Sequence, residues 1–181
     1  SSAMVVHYDY TVLAGTQGGR NHYKQDRLFE LALRFRMPLV LFSEGGGGRP
    51  GDDDLGPGVS FDTHTFTQFA KLSGAVPMIG VNHGRCFAGN TVLLACCDVI
   101  IATKDSTIGM GGPAMIEGGG LGVYTPEEVG PMSFQVPNGV VDILVDDEAE
   151  AVSVAKKYLS YFQGTIDRWE APGQLSLRHV I

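Results

Sequence analysis

Three stretches of this sequence bring glycines together where backbone N–H groups could do chemistry. The first is Ser43-Glu44-Gly45-Gly46-Gly47-Gly48-Arg49 and the second is Gly84-Arg85-Cys86-Phe87-Ala88-Gly89-Asn90. The third runs from Gly109 to Gly122. Without Cβ atoms, glycine N–H groups can approach a ligand closely. The second stretch leads from a strand into a helix, which puts the Gly89 N–H at a helix start, an unpaired donor suited to an oxyanion. One donor from each of the first two loops, aimed at one carbonyl oxygen, would make an oxyanion hole, where a single donor contributes about 3 kcal/mol of transition-state stabilisation. For an isolated four-glycine run, the competing reading is a flexible surface loop.

The side chains offer less. His83 precedes the second glycine loop, but no serine nucleophile sits in a matching elbow, so it reads as a loop-ordering residue. His7 and His22 read as solvated or packing residues, and His64 carries no signal. Arg49 could hold a phosphate or fix its loop by pairing with Glu44 or Asp52. Lys24 and Arg20 could reach a nucleotide phosphate or simply stand at a solvated helix start. Met110 and Met115 could pack on an acyl chain or fill the core. Cys86, Cys96 and Cys97 lack metal-type spacing and read as core thiols.

The elements that must position these loops follow from periodicity. Val5 to Leu13 alternates like a half-buried strand, and Asn21 to Arg36 repeats apolar residues at helical spacing until Pro38. Pro38 to Phe42 is a short apolar run expected of a buried strand. A helix over Phe61 to Leu72 follows, then strand Val76 to Val81, loop Asn82 to Phe87, helix Ala88 to Cys97 and strand Asp98 to Ala102. A strand over Val140 to Val145 and a helix over Asp147 to Phe162 close the series. Strand and crossover helix alternate, which implies an α/β fold with a largely parallel sheet. Ligand contacts in such sheets gather after the strands, where the glycine stretches lie.

Composition bounds the partners. At 181 residues with 44% apolar and 18% charged residues, the chain is ordinary for one folded domain. A net charge of -7 and no basic run argue against nucleic acid. No apolar stretch long enough to span a membrane and no signal peptide is visible, so a reducing, cytoplasmic setting is expected. Ser1-Ser2-Ala3 reads as a cloning scar, residues 4–162 as the domain, and 163–181 as a tail or the start of a linker.

The stretch Pro77 to Pro113, with Gly89, then Cys97-Asp98-Val99-Ile100-Ile101-Ala102, then Ser106-Thr107-Ile108-Gly109, resembles the crotonase superfamily. That resemblance implies a spiral of ββα units that binds acyl-CoA and stabilises enolates with backbone N–H groups. Enoyl-CoA hydratases of the superfamily carry two glutamates. The matching places here hold Val92 and, near Gly112-Pro113, no acid before Glu117, so water addition lacks its acid and base. The ordered set Gly15-Thr16-Gln17-Gly18, Gly46-Gly47-Gly48-Arg49, Leu72 to Pro77, Cys86 to Gly89, Gly112-Pro113 and Thr125 to Gly130 resembles instead the β-type carboxyltransferase of biotin-dependent acyl-CoA carboxylases.

The resemblance implies that N–H groups of Ala88 and Gly89, helped by Gly46 and Gly47, hold the thioester oxygen of acyl-CoA. Gly48, Arg49, Gly111, Gly112 and Lys24 are then the substrate-binding candidates, and no metal is called for. Biotin would arrive on a separate carrier domain. A second carboxyltransferase domain, from the same or a neighbouring subunit, would complete the site in a homo-oligomer. Carboxybiotin would release CO2, and the enolate held by the donors would capture it. The chain is thus expected to be a fragment of a larger carboxylase, with little turnover alone. Two alternatives stand beside this: a crotonase-type thioesterase or decarboxylase, and a non-catalytic assembly domain. Three departures from the family pattern are Ala88 in place of glycine, Asn90 and Arg85 where small residues or proline are usual, and the acidic Asp52-Asp53-Asp54 stretch.

Overall fold

A computed structural model of the chain describes residues 2–49, 51 and 64–164. In chain order the elements are β1 (Met4–His7), α1 (Gly19–Phe35), β2 (Leu39–Phe42), α2 (His64–Ala70), β3 (Met78–Asn82), β4 (Arg85–Phe87) and α3 (Gly89–Ala95). They continue as β5 (Val99–Thr103), β6 (Thr107–Gly109), α4 (Pro113–Gly118), α5 (Met132–Gln135), β7 (Ile143–Val145) and α6 (Glu148–Ser160). Five strands form one parallel sheet in the order β1-β2-β3-β5-β7, and β4 pairs with β6 in a small second sheet. The runs β3-β4-α3 and β5-β6-α4 are successive ββα units, the spiral architecture expected.

All five residues of β3 and of β5 are buried, so both faces of the sheet need covering. Alternation sorts the side chains. On one face Leu39, Leu41 and Met78 meet Phe29 and Ala32 of α1, Phe69 of α2 and Leu93 of α3. On the other, Val40, Ile79, Val81, Val99 and Ile101 meet Ala151 and Ala155 of α6. The small sheet has its own core, with Cys86, Ile108, Leu94 and Met132 around Ile100 and Ala102. Gly80 lets α3 approach β3, because a Cβ there would lie 2.4 Å from Leu94 Cδ1.

The differences from expectation have local causes. The first strand ends at His7 rather than Leu13. Asp9 accepts from the Thr11 N–H at 3.0 Å and from its hydroxyl at 2.6 Å, a side-chain turn that competes with strand pairing. Beyond it, Leu13 and Ala14 take positive φ. The loop expected over Asn82 to Phe87 contains β4, and β6, α4 and α5 fall in stretches read only as glycine-rich or unassigned. Three-residue strands show no readable period. α6 is narrower than expected, but Asp147 caps it by accepting from Glu150 N at 2.8 Å. The Asp52 to Asp54 stretch, residues 61–63 of the expected second helix, and residues 165–181 of the tail lie outside the described residues.

The cysteines divide rather than forming a set of core thiols: Cys86 is buried, Cys97 half-buried and Cys96 exposed. Burial pushes the Cys86 thiol up to about 11 and raises that of Cys97. At pH 8, one thiol is therefore expected to alkylate rapidly in the folded chain, at Cys96. Cys86 should react only on unfolding, as peptide mass mapping would show. Phe69 is fully buried and edge-packed on Phe29 at 4.9 Å. The Phe69→Ala variant is expected to lose about 3–5 kcal/mol of stability in urea unfolding.

Candidate active site

The first glycine loop leaves β2 at the C-terminal edge of the sheet and is tied down at nearly every peptide. Ser43 N donates to Val81 O at 3.0 Å. The buried Glu44 carboxylate accepts the backbone N–H of His83. Gly45 N donates to Arg85 O at 2.9 Å, and Gly45 O accepts from Phe87 N at 2.8 Å, which adds the loop to the small sheet beside β4. Gly46 N donates to Ala14 O at 3.1 Å and Gly47 N to Asn90 Oδ1 at 3.0 Å. Arg49 N donates to Gln17 O at 2.8 Å. Among the described residues, the one peptide N–H between Gly45 and Arg49 with no acceptor is that of Gly48, which is exposed.

The second loop runs through β4 into α3 by way of Ala88, at φ +50° and ψ -122°. That backbone shape is sparsely populated for any residue with a Cβ. It turns the chain sharply, so that the Ala88 N–H donates to Gly109 O at 3.1 Å. The next nitrogen, that of half-buried Gly89, opens the first turn of α3 and has no acceptor among the described residues. Because α3 has seven residues, the donor acts as a local N–H of a first helical turn more than as the end of a long dipole.

The two loops meet. Gly47 has φ +85°, and a Cβ on it would fall 2.5 Å from Ala88 Cβ and 3.1 Å from Gly89 N. Gly47, Ala88 and Gly89 are thus brought together as expected, but the open donors differ from those the resemblance implied. The N–H groups of Ala88, Gly46 and Gly47 are engaged within the fold, whereas those of Gly89 and Gly48 are open. The reason is tertiary: Gly109 O, Ala14 O and Asn90 Oδ1 arrive from segments distant in sequence.

The remaining candidates fall around this contact in different ways. Gly112 lies against the Phe87 ring, with a Cβ position 3.6 Å from Phe87 Cγ, and Gly111 faces Met115 and Ile116. The third glycine stretch thus flanks the second loop. Arg49 does not pair with Glu44. Its Nη2 donates to Thr16 O at 3.0 Å and its Nε to Thr16 Oγ1 at 3.3 Å, fixing the loop against the Thr16-Gln17 segment. Lys24 lines a separate cleft of about 400 Å³ beside β1, with Tyr8, Asp9 and Asn21. Those three residues also line a smaller cleft of about 160 Å³ that reaches Arg49. Lys24 therefore does not stand at the Gly47–Gly89 contact.

His83 lies between two carboxylates, 3.5 Å from Glu44 and 3.5 Å from Glu148, consistent with ordering the loop. Met110 and Met115 are exposed, so plain core filling does not describe them. Arg85 pairs with Glu127, and this contact holds the guanidinium pKa above its ordinary value and the carboxyl below its own. Sequence reading missed the hub of the site. Asn90 is fully buried and bonds to Gln17, Gly47, Ser43 and Glu44. The available signal was an amide side chain at the head of an apolar helix.

No helix among the described residues is long and apolar enough to cross a membrane. The pattern of the family described as the carboxyl transferase domain matches residues 1–174. A protein named uncharacterized carboxylase YngE from Bacillus subtilis (strain 168) is 31% identical over 157 residues, covering 85% of this chain and 31% of that protein. The methylmalonyl-CoA carboxyltransferase 12S subunit of Propionibacterium freudenreichii subsp. shermanii is 32% identical over 157 residues, covering 84% and 29%. This chain thus spans about three-tenths of the length of these curated relatives. Among solved structures, a single-chain, multi-domain long-chain acyl-CoA carboxylase superimposes with a TM-score of 0.87 at 62% identity, covering 99% of this chain and 18% of the other. A chain from the transcarboxylase 12S structure, described as a hexamer assembly, superimposes with a TM-score of 0.72 at 28% identity, covering 87% and 31%. With its parallel spiral sheet, its two meeting glycine loops and a match over nearly its whole length, the chain belongs to the carboxyl transferase domain family.

Proposed function

We propose that this domain supplies the acyl-CoA side of a biotin-dependent carboxyl transfer, in which the N–H groups of Gly48 and Gly89 hold the thioester oxygen. The observation that carries this reading is the pair of open donors, the N–H groups of Gly48 and Gly89, flanking a contact at which those of Gly46, Gly47 and Ala88 are engaged within the fold. When an acyl-CoA loses its α-proton, negative charge moves onto the thioester oxygen. Fixed donors lower the energy of that enolate more than that of the neutral thioester, and this difference is what accelerates the step. No side chain of the cleft has to take a proton. Val92 lies where a hydratase acid would stand, and Glu117 is exposed on α4.

The residues around the cleft fit the acyl half and not a finished biotin pocket. Met110, Met115 and Leu121 beside the third glycine stretch are 61%, 65% and 73% exposed, an apolar surface suited to a covering domain. Carboxybiotin brought by a carrier would supply the CO2 there, and no binding residue for it is assigned in this chain. The partners that follow are an acyl-CoA, a biotin carrier, the second carboxyltransferase domain and further copies in an oligomer. The Arg49 cleft beside Thr16 suits an anionic end of the substrate, although the guanidinium's first duty is to the loop.

The test is carboxyl transfer from carboxybiotin to a panel of acyl-CoAs, by this chain supplemented with the rest of a relative's carboxyltransferase portion. Hydrolysis by this chain alone is measured alongside. Transfer that needs both parts is expected; thioester hydrolysis by the chain without biotin would overturn the reading. In the same assay Gly47→Ala is expected to lower transfer on the order of 100-fold or more, because its methyl would collide with Ala88 and close the approach to Gly89. Ala88→Gly should keep transfer within a few-fold. It should also raise stability by about 1 kcal/mol in thermal unfolding, the relieved backbone strain outweighing the added freedom of the unfolded chain.

A further inference from the structure

We propose that Asn90 is a positioning residue, which with Gln17 holds the first glycine loop so that the Gly48 N–H stays open to the thioester oxygen. The inference rests on the carboxyl-transfer reading and adds to it the device that sets the donor geometry. Gly47 N–H can only donate, so the Asn90 atom it meets at 3.0 Å is the side-chain carbonyl oxygen. The Asn90 amide nitrogen then faces Ser43 O at 3.2 Å and Glu44 O at 3.4 Å, both acceptors. With that orientation settled, Gln17 must present Nε2 to Asn90 Oδ1, at 2.9 Å. Its own Oε1 is left buried with no donor among the described residues.

The result reaches the open donor directly. The peptide whose N–H belongs to Gly48 has its carbonyl, Gly47 O, held by Gln17 N at 2.7 Å. Asn90 grips the peptide before it and Gln17 O the N–H of Arg49 after it. A trans peptide clamped at its carbonyl points its N–H the opposite way, so the Gly48 donor is aimed without any contact of its own. Gly45 shows how close the clamp is, because a Cβ there would lie 2.2 Å from Asn90 Nδ2. Both amides are almost wholly buried, Asn90 at 0% and Gln17 at 3% exposure. They therefore act on the substrate through the loop, not by touching it.

The experiment uses this chain with two CoA ligands: an alkyl thioether with no carbonyl, and one bearing a nitronate, an anionic isostere of the enolate. Wild type is expected to prefer the nitronate by about 10-fold or more. Asn90→Ala should lose most of that preference while binding the thioether within about threefold, a split that general destabilisation does not produce. The double variant Gln17→Leu with Asn90→Ala removes both amides together and leaves neither orphaned. Its melting temperature should recover relative to Asn90→Ala, yet the preference should stay lost. The Gly47 amide is expected to exchange hydrogen slowly in wild type and quickly in both variants. A double variant that regains the preference, or a Gly47 amide that stays protected in Asn90→Ala, would overturn the positioning role alone. Absence of any nitronate preference in wild type would instead overturn the carboxyl-transfer reading, and this role with it.

Discussion

The close approach of Gly47 to the Ala88–Gly89 peptide governs the rest of this structure. Two turns of backbone, one leaving β2 of the five-stranded sheet and the other β4 of the small sheet, come together with no space for a methyl group between them. That contact demands positive φ at Gly47 and a left-handed turn at Ala88. It also demands an acceptor for each N–H turned inward, because a buried unpaired donor costs about 1–3 kcal/mol. Asn90, Ala14 and Gly109 provide those acceptors. Beside them the N–H groups of Gly48 and Gly89 have no acceptor among the described residues.

The sheet explains why the two loops can meet at all. β2 and β3 are hydrogen-bonded neighbours in parallel register, Phe42 beside Val81, so the chain leaves both at the same edge. The small β4–β6 sheet then extends the scaffold outward, and Gly45 joins it as a third, one-residue rung. Thr91 strengthens the joint, its hydroxyl lying 2.9 Å from both Cys86 O and Gly109 O and sharing its one proton between them. Rigid positioning of backbone donors suits enolate chemistry, since the stabilising dipoles are already aimed when charge develops and need not reorganise. The same reliance on backbone leaves side chains around the cleft free for other roles: Phe87 packs against Gly112, and Gln17 bonds to Asn90.

The chain spans about three-tenths of the length of its curated relatives. Its third glycine stretch carries Met110, Met115 and Leu121 exposed, with Val123 exposed just beyond it. A core of three clusters nevertheless holds the described part together. The described part thus combines a well-packed core with an exposed apolar flank.

Much of the fold was legible because its signals are periodic. The runs at 38–42, 76–81 and 98–102 read as strands, and the helical spacing after Asn21 marked α1, since burial on one face or two leaves a repeating trace in composition. Residue order also placed the glycine loops after strands, and their sequence carried the family likeness. Neither the three-residue strands β4 and β6 nor α4 left such a trace, because elements that short are stabilised by neighbours and not by their own pattern. The identity of the open donors was likewise not in the sequence. Whether a given N–H is free depends on which carbonyl reaches it, and Gly109, Ala14 and Asn90 reach theirs only through tertiary packing. Sequence marked the glycine loops as a source of backbone donors; three-dimensional proximity decided which of their N–H groups stay open.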